Sequence, residues 1–263
     1  MYTDLHGKVA IVTGGSQGIG KAVALALARE GVRLALCVRN ENLLRQTVDE
    51  IQTATHTEVI GMKANMAKLT DIRRFVNAII KKFERIDVLV NNAGGAHIGR
   101  LFETSEEDWE AHLQQKFLGY IRMTREVVPH MRKNGSGKII NIVGMAGREP
   151  DYRFMVPGAI DAALLNFTKS LSKELEQDNI RVTSVNPATT ETPLTEATIT
   201  SLSKVRKKDP EEIRQTITAS FPNGKMIQPE EIARIVLFLA SESANVVNGI
   251  SINVDAGRAL GVW

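Results

Sequence analysis

The chain has 263 residues, 33 Lys and Arg against 30 Asp and Glu, 43% hydrophobic residues and 5% aromatic ones. A formal charge of +3 with no basic stripe interleaved with aromatics argues against a nucleic-acid partner, and no apolar run approaches the ~18 residues of a membrane span. The single cysteine, Cys37, excludes an internal disulfide, and the N-terminus shows no charged-then-apolar leader, which together predict a soluble, cytoplasmic protein.

Short apolar runs alternate with amphipathic stretches along the whole chain. The runs are "KVAIVTG" (8–14), "RLALCV" (33–38), "EVIGMKA" (58–64), "IDVLVNNAG" (86–94), "KIINIVG" (138–144), "RVTSVNPA" (181–188) and "GISINVDAG" (249–257). Between them, "KAVALALARE" (21–30), "LTDIRRFVNAIIKKF" (69–83), a long stretch over 105–131, "AALLNFTKSLSKEL" (162–175) and "PEEIARIVLFLASES" (229–243) have helical periodicity. Strands that are apolar at nearly every position are strands covered on both faces. The pattern predicts one domain over 1–263, an α/β doubly wound parallel sheet of about seven strands with helices on both faces. The irregular stretch 188–226 is the one long excursion, and excursions of that length in α/β enzymes tend to be substrate lids. Its basic run "SKVRKK" (203–208) reads as a solvated helix end, and Cys37, inside an apolar run, as a small buried hydrophobe.

The first chemical motif follows the first run. In "TGGSQGIG", Gly14, Gly18 and Gly20 precede a helical pattern, with Ser16, Gln17 and Ile19 between them. Glycines there let the backbone approach a pyrophosphate, and a helix N-terminus offers unpaired N–H groups and partial positive charge. A glycine pattern alone is weak; its place after the first strand of a βαβ unit makes it a dinucleotide-binding signal.

Together with "NNAGG" (91–95), "VNPATTET" (185–192) and "NGISINVDAG" (248–257), this loop makes the chain resemble the short-chain dehydrogenase/reductase family over essentially its whole length. The resemblance implies a Rossmann-type fold, a nicotinamide cofactor, a small-molecule substrate and a homotetramer or homodimer built on the helices flanking the fifth strand. It places Asn91, Ala93, Gly94, Pro187 and Thr192 along the cofactor, and Asn65 where an aspartate normally meets the adenine amino group. Ala188 stands in the usual glycine place after Pro187. At the end of the second strand an acidic residue would bind both ribose hydroxyls; Arg39 stands there instead, and a guanidinium suits a 2′-phosphate. NADP(H) is favoured over NAD(H).

The family's hydride-transfer site uses a Ser, a Tyr and a Lys with an Asn on the preceding helix. Aligned by "NIVGMAG", "AALLNFTK" and "QKFLG", those positions fall at Gly144, Pro157, Asp161 and Lys116. Neither Gly144 nor Pro157 has a side-chain proton, so the family's usual mechanism has no carriers at these positions. Candidate replacements are Lys116, Asp161, His97 and Tyr152, with Asp161 also able to accept from ribose hydroxyls. Lys116 and Asp161 are expected to form an ion pair with the family's polarity reversed. No His/Cys/Asp/Glu spacing suggests a metal. Three readings stay open at this point: an oxidoreductase with displaced acid–base residues, a non-redox enzyme in the same pocket, and a nucleotide-binding protein without catalysis.

Overall fold

The computed structural model describes residues 3–260, so both ends of the expected 1–263 domain lie outside the described residues. Seven strands form, one in each apolar run: β1 (Val9–Thr13), β2 (Arg33–Val38), β3 (Val59–Lys63), β4 (Val88–Asn91), β5 (Gly137–Ile142), β6 (Ile180–Pro187) and β7 (Ser251–Val254). They make one parallel sheet in the order β3-β2-β1-β4-β5-β6-β7, the expected doubly wound arrangement. Helices α1 (Gly18–Arg29), α2 (Glu41–Thr55) and α3 (Leu69–Phe83) fill the first half of the chain.

β1 shows why the runs are apolar throughout. Its side chains alternate between faces, so Val9 and Ile11 pack with Ile72, Phe75 and Ile79 of α3, while Ala10 and Val12 pack with Val23 and Leu27 of α1. Both faces are core. Cys37 of β2 lies in the α3 layer, where burial pushes its thiol up to about 12. After β3 the chain returns to start β4 on the other edge of β1. That reversal opens a crevice beyond the carboxyl ends of β1 and β4, where ligands of such sheets bind.

The stretch read as one helix over 105–131 is interrupted. It comprises α4 (Glu106–His112), a wide π-helical turn (Leu113–Phe117) and α5 (Leu118–Asn134), with the Leu118 N–H donating to the Leu113 carbonyl five residues back. Ser105 caps α4 through a reciprocal pair with Asp108, as its sequence position requires. α6 (Met155–Glu174) follows β5 and carries Pro157 in its first turn, where a missing N–H costs no helical bond. The excursion after β6 contains α7 (Pro193–Arg206) and α8 (Pro210–Ala219), and α9 (Pro229–Ala240) leads back to β7. α7 and α8 share a small core of their own, Ile199, Leu202 and Ile213, which also takes Ile98 from the loop after β4. Among the described residues no helix is long and apolar enough to cross a membrane.

Candidate active site

A cleft of about 680 Å³ opens at the carboxyl ends of the strands. Gly14, Ser16, Gln17, Gly18, Ile19 and Gly20 form one wall, and Arg39 closes the end beyond β2. Ala93 and Gly94, Lys116 and Asp161, and Pro187 and Thr192 line the rest. A side chain at Gly20 would run into the Gly14 carbonyl, so the loop folds tightly onto α1 only because that position is bare. Gln17, at the N-cap of α1, makes no side-chain cap hydrogen bond. The first N–H groups of the helix therefore face the cleft without a side-chain acceptor, which suits an anion. Thr192 caps α7 and packs against Gly18, joining the excursion to the glycine loop.

Two residues expected along the cofactor lie elsewhere. Asn91 is fully buried inside the sheet, where its amide donates to Asn141 of β5 at 3.0 Å and to Thr124 of α5 at 3.4 Å. The register pairs Asn91 with Asn141 on neighbouring strands, so it ties strands together below the cleft. Asn65 does not line the cleft; its Oδ1 accepts the Ala67 N–H at 3.0 Å and its N–H donates to Asp71. Their neighbours Asn92, Ala64 and Met66 line the cleft instead. Asn92 was legible as the second residue of "NNAGG", and its amide reaches the Thr13 and Gly14 carbonyls.

At the base of the cleft Lys116 and Asp161 meet. Lys116 Nζ lies 2.6 Å from Asp161 Oδ1 and donates to the Val143 carbonyl at 2.6 Å; the two residues are 8% and 3% exposed. One helical turn further, the Tyr120 hydroxyl donates to the Ile142 carbonyl at 2.9 Å. Two consecutive carbonyls at the end of β5 are thus satisfied by side chains of one helix. Burial pushes the Asp161 carboxyl above its ordinary range, and the Lys116 cation draws it back. A side-chain carbon at Gly144 would sit 2.6 Å from Asp161 Oδ2, and Gly144 has φ +142°. The carboxylate fills the space a side chain at 144 would need. The lysine stem in turn packs under Gly94, whose missing side chain lets the loop lie on it.

A family model described as "short chain dehydrogenase" matches residues 8–203. The chain belongs to the short-chain dehydrogenase family. A 3-oxoacyl-[acyl-carrier-protein] reductase, FabG, of Thermotoga maritima is 36% identical over 259 residues, covering 97% of this chain and 99% of the relative. The 3-oxoacyl-[acyl-carrier-protein] reductase of Synechocystis is 34% identical over 259 residues, covering 98% and 99%. The crystal structure of L-sorbose reductase from Gluconobacter frateurii, complexed with NADPH and L-sorbose, superposes with a TM-score of 0.95 at 30% identity, covering 100% of both chains. YwfH, an NADPH-dependent reductase involved in bacilysin biosynthesis, gives 0.91 at 30% identity, covering 97% and 99%.

In this member of the family the other two acid–base candidates stand apart from the cleft lining. Tyr152 is 58% exposed and lies between the guanidinium groups of Arg100 and Arg153, at 5.1 and 5.3 Å from its ring. Both guanidinium groups stack on its ring, and the residue is not among those that line the cleft. His97 packs edge-on against His112 of α4 at 5.7 Å, with Asp108 3.7 Å from its Nδ1. Sequence reading missed His112, which lies one turn before Lys116 and beneath Gly95. Its Nε2 and that of His97 are buried without partners. Burial, then the charges of His97 and Lys116, lower the His112 pKa against the pull of Asp108. A depressed histidine favours the folded state only while it is neutral. Stability from this group is therefore complete above ~6.5, the unfolded value, and is lost as pH falls from there through the lower folded value. Urea titrations from pH ~8 to ~5 are expected to show a smaller acid loss in His112→Gln than in the parent chain.

Proposed function

We propose that this short-chain dehydrogenase binds NADP(H) in preference to NAD(H) and interconverts a small carbonyl compound and its alcohol, with Lys116 taking the place of the family's tyrosine. The observation that carries this reading is the state of Lys116. An ammonium has three N–H donors; Val143 and Asp161 take two, and the third is unspent in a residue that lines the cleft. The cleft residues fit the dinucleotide: the uncapped α1 terminus and the close approach of Gly20 to Gly14 suit a pyrophosphate. Arg39 is exposed at the far end, with no carboxylate in ion-pair reach among the described residues, and suits a 2′-phosphate. When bound, the nicotinamide supplies or accepts the hydride.

Lys116 then donates its third N–H to the substrate oxygen, opposes the negative charge that grows there, and gives up the proton as the alcohol forms. Asp161 and Val143 hold the amine in place through the transfer, and the lysine regains its proton from solvent. Asp161 also offers its second oxygen to a ribose hydroxyl. The excursion 188–226 acts as the lid, since residues at its start, Ala188, Thr192 and Thr195 among them, contribute to the cleft lining and its own small core takes Ile98 from the loop after β4. The protein works in the cytoplasm as a homodimer or homotetramer built on α5 and α6.

Calorimetric titration with NADPH and NADH tests the cofactor half. Arg39→Glu is expected to weaken NADPH by about 10- to 100-fold, on the scale of a lost charge-assisted contact, and to leave NADH little changed. No binding of either at millimolar concentration would sink the nucleotide assignment. Reduction of a carbonyl panel, followed by NADPH absorbance, tests the chemistry: Lys116→Ala should abolish turnover while NADPH still binds. The burial of the Lys116–Asp161 pair favours a second reading, a cleft that holds nucleotide without turning it over. NADPH binding with no consumption across the panel would select it.

A further inference from the structure

Among the described residues the cleft lining holds two guanidinium groups, Arg39 beyond β2 and Arg258 after β7, and no sequence pattern marked the second. Its side chain lies over the Phe221 ring at 5.3 Å and reaches the Thr189 hydroxyl at 3.5 Å. Among the described residues no carboxylate lies within ion-pair distance of it. The neighbouring acids are already occupied. Asp151 is gripped by both prongs of Arg153, at 2.9 and 2.5 Å. Glu149 accepts the Leu260 N–H at 2.7 Å, and Asp161 belongs to Lys116.

The backbone that carries Arg258 is fixed in place. Asp255 accepts from the N–H groups of Gly257, Arg258 and Ala259, two through its side chain and one through its carbonyl. With the Glu149–Leu260 bond, these contacts strap the segment after β7 across the cleft mouth. A guanidinium held this way is a preorganised fork that matches two oxygens of a carboxylate, and the Thr189 hydroxyl adds a donor beside it. We infer that Arg258 is the anion anchor of the cleft, and that the substrate is an oxo acid or hydroxy acid whose carboxylate it binds. The inference rests on the reading of the cleft as a carbonyl–alcohol site and adds the substrate class.

The probes are acetoacetate and levulinate, each beside its methyl ester, with binding read by saturation-transfer NMR in the absence and presence of NADPH. Each acid should bind more tightly than its ester. Arg258→Ala should weaken the acids by about 10- to 100-fold, the scale of a hydrogen-bonded charge contact, and leave the esters unchanged. Arg258→Lys, which keeps the charge and loses the fork, should fall between. NADPH affinity by calorimetry should be the same in all three proteins. Acids that bind no better than esters, or acids indifferent to Arg258→Ala, overturn the anchor. NADPH weakened in step with the acids also overturns it, because Arg258 would then serve the nucleotide. If no NADPH binds at all, the cofactor reading fails while the NMR arm on the protein alone still decides the anchor.

Discussion

Lys116→Ala and Asp161→Ala are each expected to lower the unfolding free energy by about 3–5 kcal/mol, with the double variant losing clearly less than the sum. Each single change leaves one buried charge without its counter-ion, and Lys116→Ala also leaves the Val143 carbonyl without its donor. The double change removes both charges together. The pH dependence separates the two singles. In Lys116→Ala the main cation that draws the Asp161 carboxyl down is gone, and burial pushes it up against only the weaker pull of His112. A raised carboxyl favours the folded state when protonated, so that variant is relatively better at pH ~5 and loses stability as pH rises through the raised value. Asp161→Ala has no such recovery on acidification. Urea midpoints at pH ~5 and ~8 for the four proteins complete the cycle; strict additivity would falsify the pair as an energetic unit.

Restoring the family's acid–base residues is expected to raise carbonyl reduction on generic substrates by about 10²–10⁴-fold, the usual contribution of positioned proton-transfer groups. From the sequence, the set is Gly144→Ser, Pro157→Tyr and Asp161→Lys. The structure adds a fourth member, since Asp161→Lys alone would set a second ammonium beside Lys116; Lys116→Asn removes that conflict. The order of the changes matters as well. Gly144→Ser introduces a side chain at φ +142° directly against Asp161 Oδ2, so it should be tolerated worst while Asp161 is present. Single changes should give little activity, because the groups act as a unit. A folded fourfold variant that binds NADPH and shows no reduction on a permissive panel would count against the placement of these positions.

The sheet was legible because covering both faces leaves a distinct trace, an apolar residue at nearly every strand position, and β1 and β2 show it most clearly. The Lys116–Asp161 contact was legible for a different reason: two opposite charges stood at positions that the resemblance already brought together. What the sequence could not convey was direction. "NNAGG" identifies a segment at the cleft, but only the strand pairing shows that Asn91 turns toward Asn141 while Asn92 turns to the glycine loop. His97 and Tyr152 are near the cleft along the chain, yet they pack against His112 and between two arginines and are not among the residues that line it. Arg258 had no local pattern at all. Its position depends on a turn built by one aspartate and on a long-range bond to Glu149.

The wide turn at Leu113–Phe117 has a consequence for how this chain tolerates changes in length. It holds roughly one residue more than an ordinary helical turn, and each residue of an α-helix advances by about 100°. Deleting a single residue there would let the hydrogen-bond ladder run straight through and would leave the helix itself intact. Because the wide turn fits that extra residue into one revolution, its loss would keep the segments on either side in nearly the same rotational register. His112 and Lys116, then three residues apart, would still share the helix face beneath the Gly94–Gly95 loop. The turn is thus a slack loop in the helical count: it absorbs a one-residue change in length that within α5 would re-aim the flanking side chains.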